Sequence, residues 1–282
     1  MINILVSPQW LNERLDNANL KVILAKLDRK AVTIPNSIAI QQIPGTISID
    51  IKRDFSDTTS DLPNTLLPEK KFLEKIRMLG IKPSDNIVIY DQYGLYASPR
   101  IWWIFSNLGF KNTYVLNGGM PSWIQHQYPI ESMGIESLKQ EINLEENFEI
   151  PKSLFKVCNK EEILQTLNDD SHVVIDARSS GRFYGTAPEP RQTLRSGHIP
   201  NSINLPFTQL VQNGEMLPKE ELITIFKPLQ LQNKKLIFTC GSGITACIVL
   251  LAASIAGYSD LFLYDGSWSE WGASRNLPVS TS

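Results

Sequence analysis

The second half of this chain repeats the first. Val22-Ile23-Leu24 is answered by Val173-Val174-Ile175, and IPGTISID from Ile43 by IPNSINLP from Ile199. DNIVIYDQYG from Asp85 is answered by KKLIFTCGSG from Lys234, and the Gly-aromatic pair at Gly109 by the one at Gly257. NGGMPSWIQHQYPIES from Asn117 closes the series against DGSWSEWGASRNLPVS from Asp265. The echoes keep their order at an offset near 150 residues, so a duplicated domain is expected rather than one large core.

Each copy alternates short β-branched runs (VVIDAR, KLIFTC, LFLYDG) with helical stretches such as KEELITIFKPL. That alternation predicts an α/β fold, each domain a mainly parallel sheet flanked by helices. Met133 to Ser153 is polar, acidic and without an apolar period, as a surface connection would be. The expected organisation is therefore a first domain over 1–135, a linker over 136–153 and a second domain over 154–282.

Composition excludes several function classes. Lysine plus arginine (27) nearly balance aspartate plus glutamate (29), so no overall field would draw the chain to nucleic acid or to an anionic membrane surface. The longest apolar stretch, Ile244–Gly257, falls short of the roughly 20 residues that span a bilayer. The start, MINILVSPQWLNERL, lacks the basic and apolar regions of a secretory signal. Three cysteines (Cys158, Cys240, Cys247) are too few for a disulfide framework and fit a reducing compartment, so a cytoplasmic location is expected. His126, His172 and His198 are scattered without metal-ligand spacing, and neither a metal nor an organic cofactor is expected.

The two copies differ where chemistry would sit. In the first, the strand NIVIY runs into Asp91-Gln92-Tyr93-Gly94 and a helix written ASPRIWWIFSNLGF. In the second, KLIFT runs into Cys240-Gly241-Ser242-Gly243 and a helix expected to begin at Ile244. Only the second offers a nucleophile. A glycine-rich loop between a strand and a helix start can turn its N–H groups inward around an anion, which favours a thiolate and equally the outer sulfur of a persulfide. The plain alternative is that Cys240 packs as a small apolar side chain. Cys247, seven residues on amid Ile, Val, Leu and Ala, is core filler on this reading, and Cys158 carries no motif.

CGSGITA from Cys240 resembles the active-site loop of the 3-mercaptopyruvate sulfurtransferases, usually CG[ST]GVT. LVSPQWL, SDLP at Ser60, GLYASPRIWW, GRFYGTAPEPR from Gly181 and SGHIPNSIN from Ser196 extend the resemblance over nearly the whole chain. It implies two tandem rhodanese-like domains, the first inactive and the second carrying the cysteine. It implies that Cys240 and Ser242 are catalytic and that Gly241, Gly243, Ile244 and Thr245 line the substrate. Arg182 and Arg191 align with the arginines that hold the carboxylate and carbonyl of mercaptopyruvate, a task suited to the planar guanidinium fork. The competing reading is a solvated arginine that pairs with Glu189 or another surface acid.

The implied reaction moves sulfur from a small-molecule donor to Cys240 and on to a thiol acceptor, reduced thioredoxin among them, or to cyanide. Thiosulfate is the alternative donor, although its users carry basic residues after the cysteine where this chain has Gly241 and Ser242. A passive sulfur carrier or binding module is the non-enzymatic alternative. A cysteine phosphatase is set aside because Ala246 stands where its arginine would be. The Ser-His-Asp relay of animal members is not intact: Lys52 follows Asp50-Ile51, and Asn64 lies in LPNTLLP, so Asp50, Asp57 and Asp61 remain as candidate partners. His198 is expected to fix a turn, Asp176 to steady the loop after its strand, Trp102 and Trp103 to be core, and Glu69-Lys70-Lys71 to form a solvated helix face.

Overall fold

The structure is a computed structural model that describes residues 4–28, 38, 40–133 and 156–281; the linker expected at 136–153 lies outside these residues. Two compact units share the chain. The second takes Thr59–Thr65 from the first half together with Lys156–Gln212 and the residues from Met216 on, while Asn213–Glu215 belong to the first.

In the first unit β1 (Leu5–Val6), β2 (Leu20–Lys26), β3 (Thr46–Asp50), β4 (Asn86–Tyr90) and β5 (Thr113–Leu116) form a parallel sheet in the order β1-β5-β4-β2-β3. In the second, β6 (Val157–Cys158), β7 (His172–Asp176), β8 (Ile203–Asn204), β9 (Lys235–Thr239) and β10 (Leu261–Tyr264) follow the same plan, β6-β10-β9-β7-β8, again parallel. The repeat seen in sequence is therefore a repeat of topology, with β4 and β9 at the two sheet centres.

The central strands are apolar on both faces because both faces are covered, the usual condition of parallel sheets. On β9, Leu236, Ile237 and Phe238 are all fully buried; on β4, so are Ile87, Val88 and Ile89. Trp123 and Trp271, matched in the repeat, sit on equivalent helices, Gly119–Gln125 and Ser267–Trp271, and are both wholly buried. Each indole N–H donates at 2.8 Å to a proline carbonyl a few residues on, Pro129 and Pro278 respectively. An indole brings its large apolar area inside only if its one polar atom is satisfied there, and the proline-containing tail does this in both copies.

Helix ends follow local chemistry. Ser7 caps Pro8–Asn12 by accepting the Trp10 N–H, and Asn159 and Glu162 form a reciprocal capping box on Lys160–Thr166. The helix after β4 runs Ser98–Asn107, shorter than the sequence suggests, with Gly109 turning the chain at φ 84. The helix after β9 is Ala246–Ala256, two residues later than expected: Gly243 holds φ 79, outside the helical region, and keeps Ile244 and Thr245 in the loop. Trp102 and Trp103 are core at 7% and 1% exposure, and Glu69, Lys70 and Lys71 are solvent-facing.

Candidate active site

Cys240 is the first residue after β9, at the carboxyl end of the central strand of the second unit, and is 2% exposed. Its carbonyl accepts the N–H of Trp268 at 2.9 Å, and the Gly241 carbonyl accepts the N–H of Ser269 at 3.0 Å. A trans peptide sets its N–H opposite its C=O, so these contacts turn the N–H groups of Gly241 and Ser242 away from the helix Ser267–Trp271.

The first unit shows what that arrangement does. Asp91 holds the corresponding place after β4, and its carbonyl accepts the N–H of Met120 at 2.9 Å, the counterpart of the Trp268 contact. Its buried carboxylate collects the N–H of Tyr93 at 2.9 Å, the N–H groups of Tyr96, Ala97 and Ser98 at 2.8 Å, and the Ser98 hydroxyl at 2.8 Å. This loop folds its donors around an anion, and in the first unit that anion is its own side chain. In the second unit the equivalent side chain is a thiol.

Arg182, on the short helix Ser180–Phe183, lies against the Cys240 loop: a Cβ added to Gly241 would stand 3.2 Å from Arg182 Nη2. Glu189 receives Arg182 Nη2 at 2.6 Å and Nε at 3.1 Å. The same carboxylate receives Nη1 of the buried Arg178 at 2.8 Å, and Arg178 is held in turn by Asp176 and by the Gly197 carbonyl, over the face of Trp268 at 4.2 Å. Of the two arginines it is Arg182 that pairs with Glu189, the acid is buried rather than superficial, and the pair leaves the Nη1 amino group outside it. Charge-assisted, two-point bonds of this kind fix a guanidinium plane.

Arg191 reaches the same loop by another route. Its Nη1 donates to Ser269 Oγ, whose hydroxyl donates to the Gly241 carbonyl. Within this cluster three arginines (178, 182, 191) stand with two carboxylates, Asp176 and Glu189. Ser242 Oγ accepts the Asn64 side-chain N–H at 2.9 Å, both residues belonging to the second unit.

Other candidates resolve into supporting roles. His198 is buried, stacks on Phe183 at 3.7 Å and pairs its Nδ1 with the Phe183 carbonyl at 2.9 Å, fixing the turn. Asp50 caps the helix Ile51–Asp54, its Oδ1 accepting the Lys52 and Arg53 N–H groups at 3.0 Å. Cys247 is fully buried with its thiol on the Gly243 carbonyl, and Cys158 is buried on β6, where desolvation pushes its thiol up to about 11. Among the described residues no group of three or more His, Cys, Asp or Glu is placed to hold a metal, and no helix is long and apolar enough to cross a membrane. Ser269 and Arg178 escaped the sequence reading. Ser269 has its partners 28 and 78 positions away, and Arg178, although only two residues from Asp176, sits in no motif that marks it.

Two parallel-sheet domains of one topology, one closing its loop on the Asp91 carboxylate and the other carrying Cys240 at the equivalent place, define a tandem class with one thiol-bearing loop. The Rhodanese-like domain model matches twice, over residues 7–126 and 159–274, and the chain belongs to that family. It is 38% identical over 280 residues to the 3-mercaptopyruvate sulfurtransferase of Mus musculus, covering 95% of this chain and 91% of the relative. Against the protein of that name from Escherichia coli K12 it is 34% identical over 278 residues, covering 97% and 96%. The crystal structure of SseA from Escherichia coli, described among the 3-mercaptopyruvate sulfotransferases, matches with TM-score 0.79 at 31% identity, over 95% of this chain and all of that one.

Proposed function

We propose that this chain is a sulfurtransferase that takes the sulfur of 3-mercaptopyruvate onto Cys240 and releases pyruvate. The Cys240 thiolate attacks the donor sulfur; an S–S bond forms, the donor C–S bond breaks, and its electron pair leaves on carbon as the enolate of pyruvate, which then takes a proton. Covalent capture divides one transfer into two easier ones. The persulfide is then attacked at its outer sulfur by a second nucleophile: a small thiol, reduced thioredoxin or cyanide.

The observation that carries this reading is the Cys240 loop, with its first two carbonyls tied to the helix Ser267–Trp271 and Arg182 packed against Gly241. Arg182, through Nη1, and Arg191 orient the keto acid, and Gly241, Gly243, Ile244 and Thr245 shape the loop around the sulfur. Two guanidinium forks suit the carboxylate and carbonyl of a keto acid, whereas the basic residues that thiosulfate users carry after the cysteine are replaced here by Gly241 and Ser242. The first domain, with Asp91 in the cysteine's place, is structural. Its boundary with the second falls in the linker over 136–153.

The test is direct. Pure protein incubated with 3-mercaptopyruvate should release pyruvate and gain the mass of one sulfur, and Cys240→Ser should do neither. Full activity in that variant, or no pyruvate from the native chain, would overturn the reading.

A further inference from the structure

We propose that Asn64 is a positioning residue that sets the direction of the Ser242 hydroxyl, making it a hydrogen-bond donor toward the departing enolate; this rests on the transfer reading above. A hydroxyl has one proton and two lone pairs. Asn64 Nδ2 donates to Ser242 Oγ at 2.9 Å, so one lone pair is occupied and the hydroxyl proton has no acceptor at that nitrogen. The proton must point elsewhere, and Ser242 lies two residues from the nucleophile, with its backbone N–H turned from the helix Ser267–Trp271.

The turn that carries Asn64 is built to hold it. Ser60 Oγ accepts the Leu62 N–H at 3.1 Å and donates to Thr65 Oγ1 at 3.0 Å, and Thr65 Oγ1 donates to the Leu62 carbonyl at 3.0 Å. Inside this closed ring Asn64 takes φ 58, a left-handed conformation that asparagine adopts more readily than most side chains. An amide does not titrate, so the polarity it imposes on Ser242 is the same at every working pH. It also takes no proton from Ser242, which therefore acts as an oriented donor and not as one member of a relay.

Asn64→Asp is the informative variant, because it keeps the size and the tolerance of positive φ while turning the donor into an acceptor. The hydroxyl proton would then rotate toward residue 64. We expect kcat for pyruvate release to fall about tenfold with KM within about twofold, the pattern of an interaction lost from the transition state. In a Ser242→Ala background the same change should lower kcat no further, since the proposed effect on the transfer runs through that hydroxyl. Asn64→Ala, which removes the contact without adding charge, should lower kcat by several-fold and serves as the reading if the aspartate variant melts early. Native-like kcat in both Asn64 variants, or an equal loss with and without Ser242, would overturn the proposal. A native chain that releases no pyruvate would sink the transfer reading itself, and is distinguished by needing no variant.

Discussion

Glu189 grips Arg182 through two bonds, Nη2 at 2.6 Å and Nε at 3.1 Å, while sharing its first oxygen with the buried Arg178. Only 2% of the Glu189 side chain is exposed, so the pair is not a screened surface contact. Glu189→Gln would keep the volume but leave the buried Arg178 less well balanced and Arg182 held by a weaker partner. We expect KM for 3-mercaptopyruvate to rise about tenfold and stability to fall by about 2 kcal/mol, read by steady-state pyruvate release and by chemical denaturation.

Two glycines of the loop should respond differently. Gly241 is not at positive φ, and a Cβ added there would stand 3.2 Å from Arg182 Nη2. Gly241→Ala should therefore leave melting almost unchanged while raising KM several-fold. Gly243 sits at φ 79, where an alanine is strained by about 1 kcal/mol or more and would pull the loop out of shape. Gly243→Ala should lower both the melting temperature and kcat.

The anion loop of the first domain can be tested by emptying it. Asp91→Ala would leave four backbone N–H groups and the Ser98 hydroxyl without their buried acceptor. The expected cost is about 3 kcal/mol or more, seen as a large loss in denaturant midpoint. Sulfur uptake by Cys240 should survive under conditions where the variant stays folded, as followed by mass.

Alkaline pH should expose the buried thiol of Cys158. Burial raises it from 9.0 to about 11, so the folded chain holds this proton where the unfolded chain has lost it. Its contribution to stability is complete below pH 9 and declines as pH rises toward 11, by up to about 2–3 kcal/mol. Tyr90, raised by burial as well, steepens the decline at higher pH. Urea midpoints measured from pH 8 to 11 should show the fall, and Cys158→Ala should flatten its first part.

The repeat, the parallel α/β class and the place of Cys240 were legible in the linear order of residues, because each depends on local pattern: β-branched strands, a glycine loop, and paired offsets from Val22 to Trp271. The helix after Cys240 begins two residues later than the apolar run suggests, since a left-handed Gly243 is invisible to composition. More was hidden at the site. Asn64 meets Ser242 across 178 positions, and Arg191 meets Ser269 across 78. Spacing along a chain carries no information about such pairs. The sequence by itself determined that this chain would form two like domains with one cysteine loop between strand and helix. Which carboxylate grips which arginine, and which way the Ser242 hydroxyl faces, was decided only when the sheets closed, because buried charges and hydroxyls take their partners from whatever elements the packed core brings within about 3 Å.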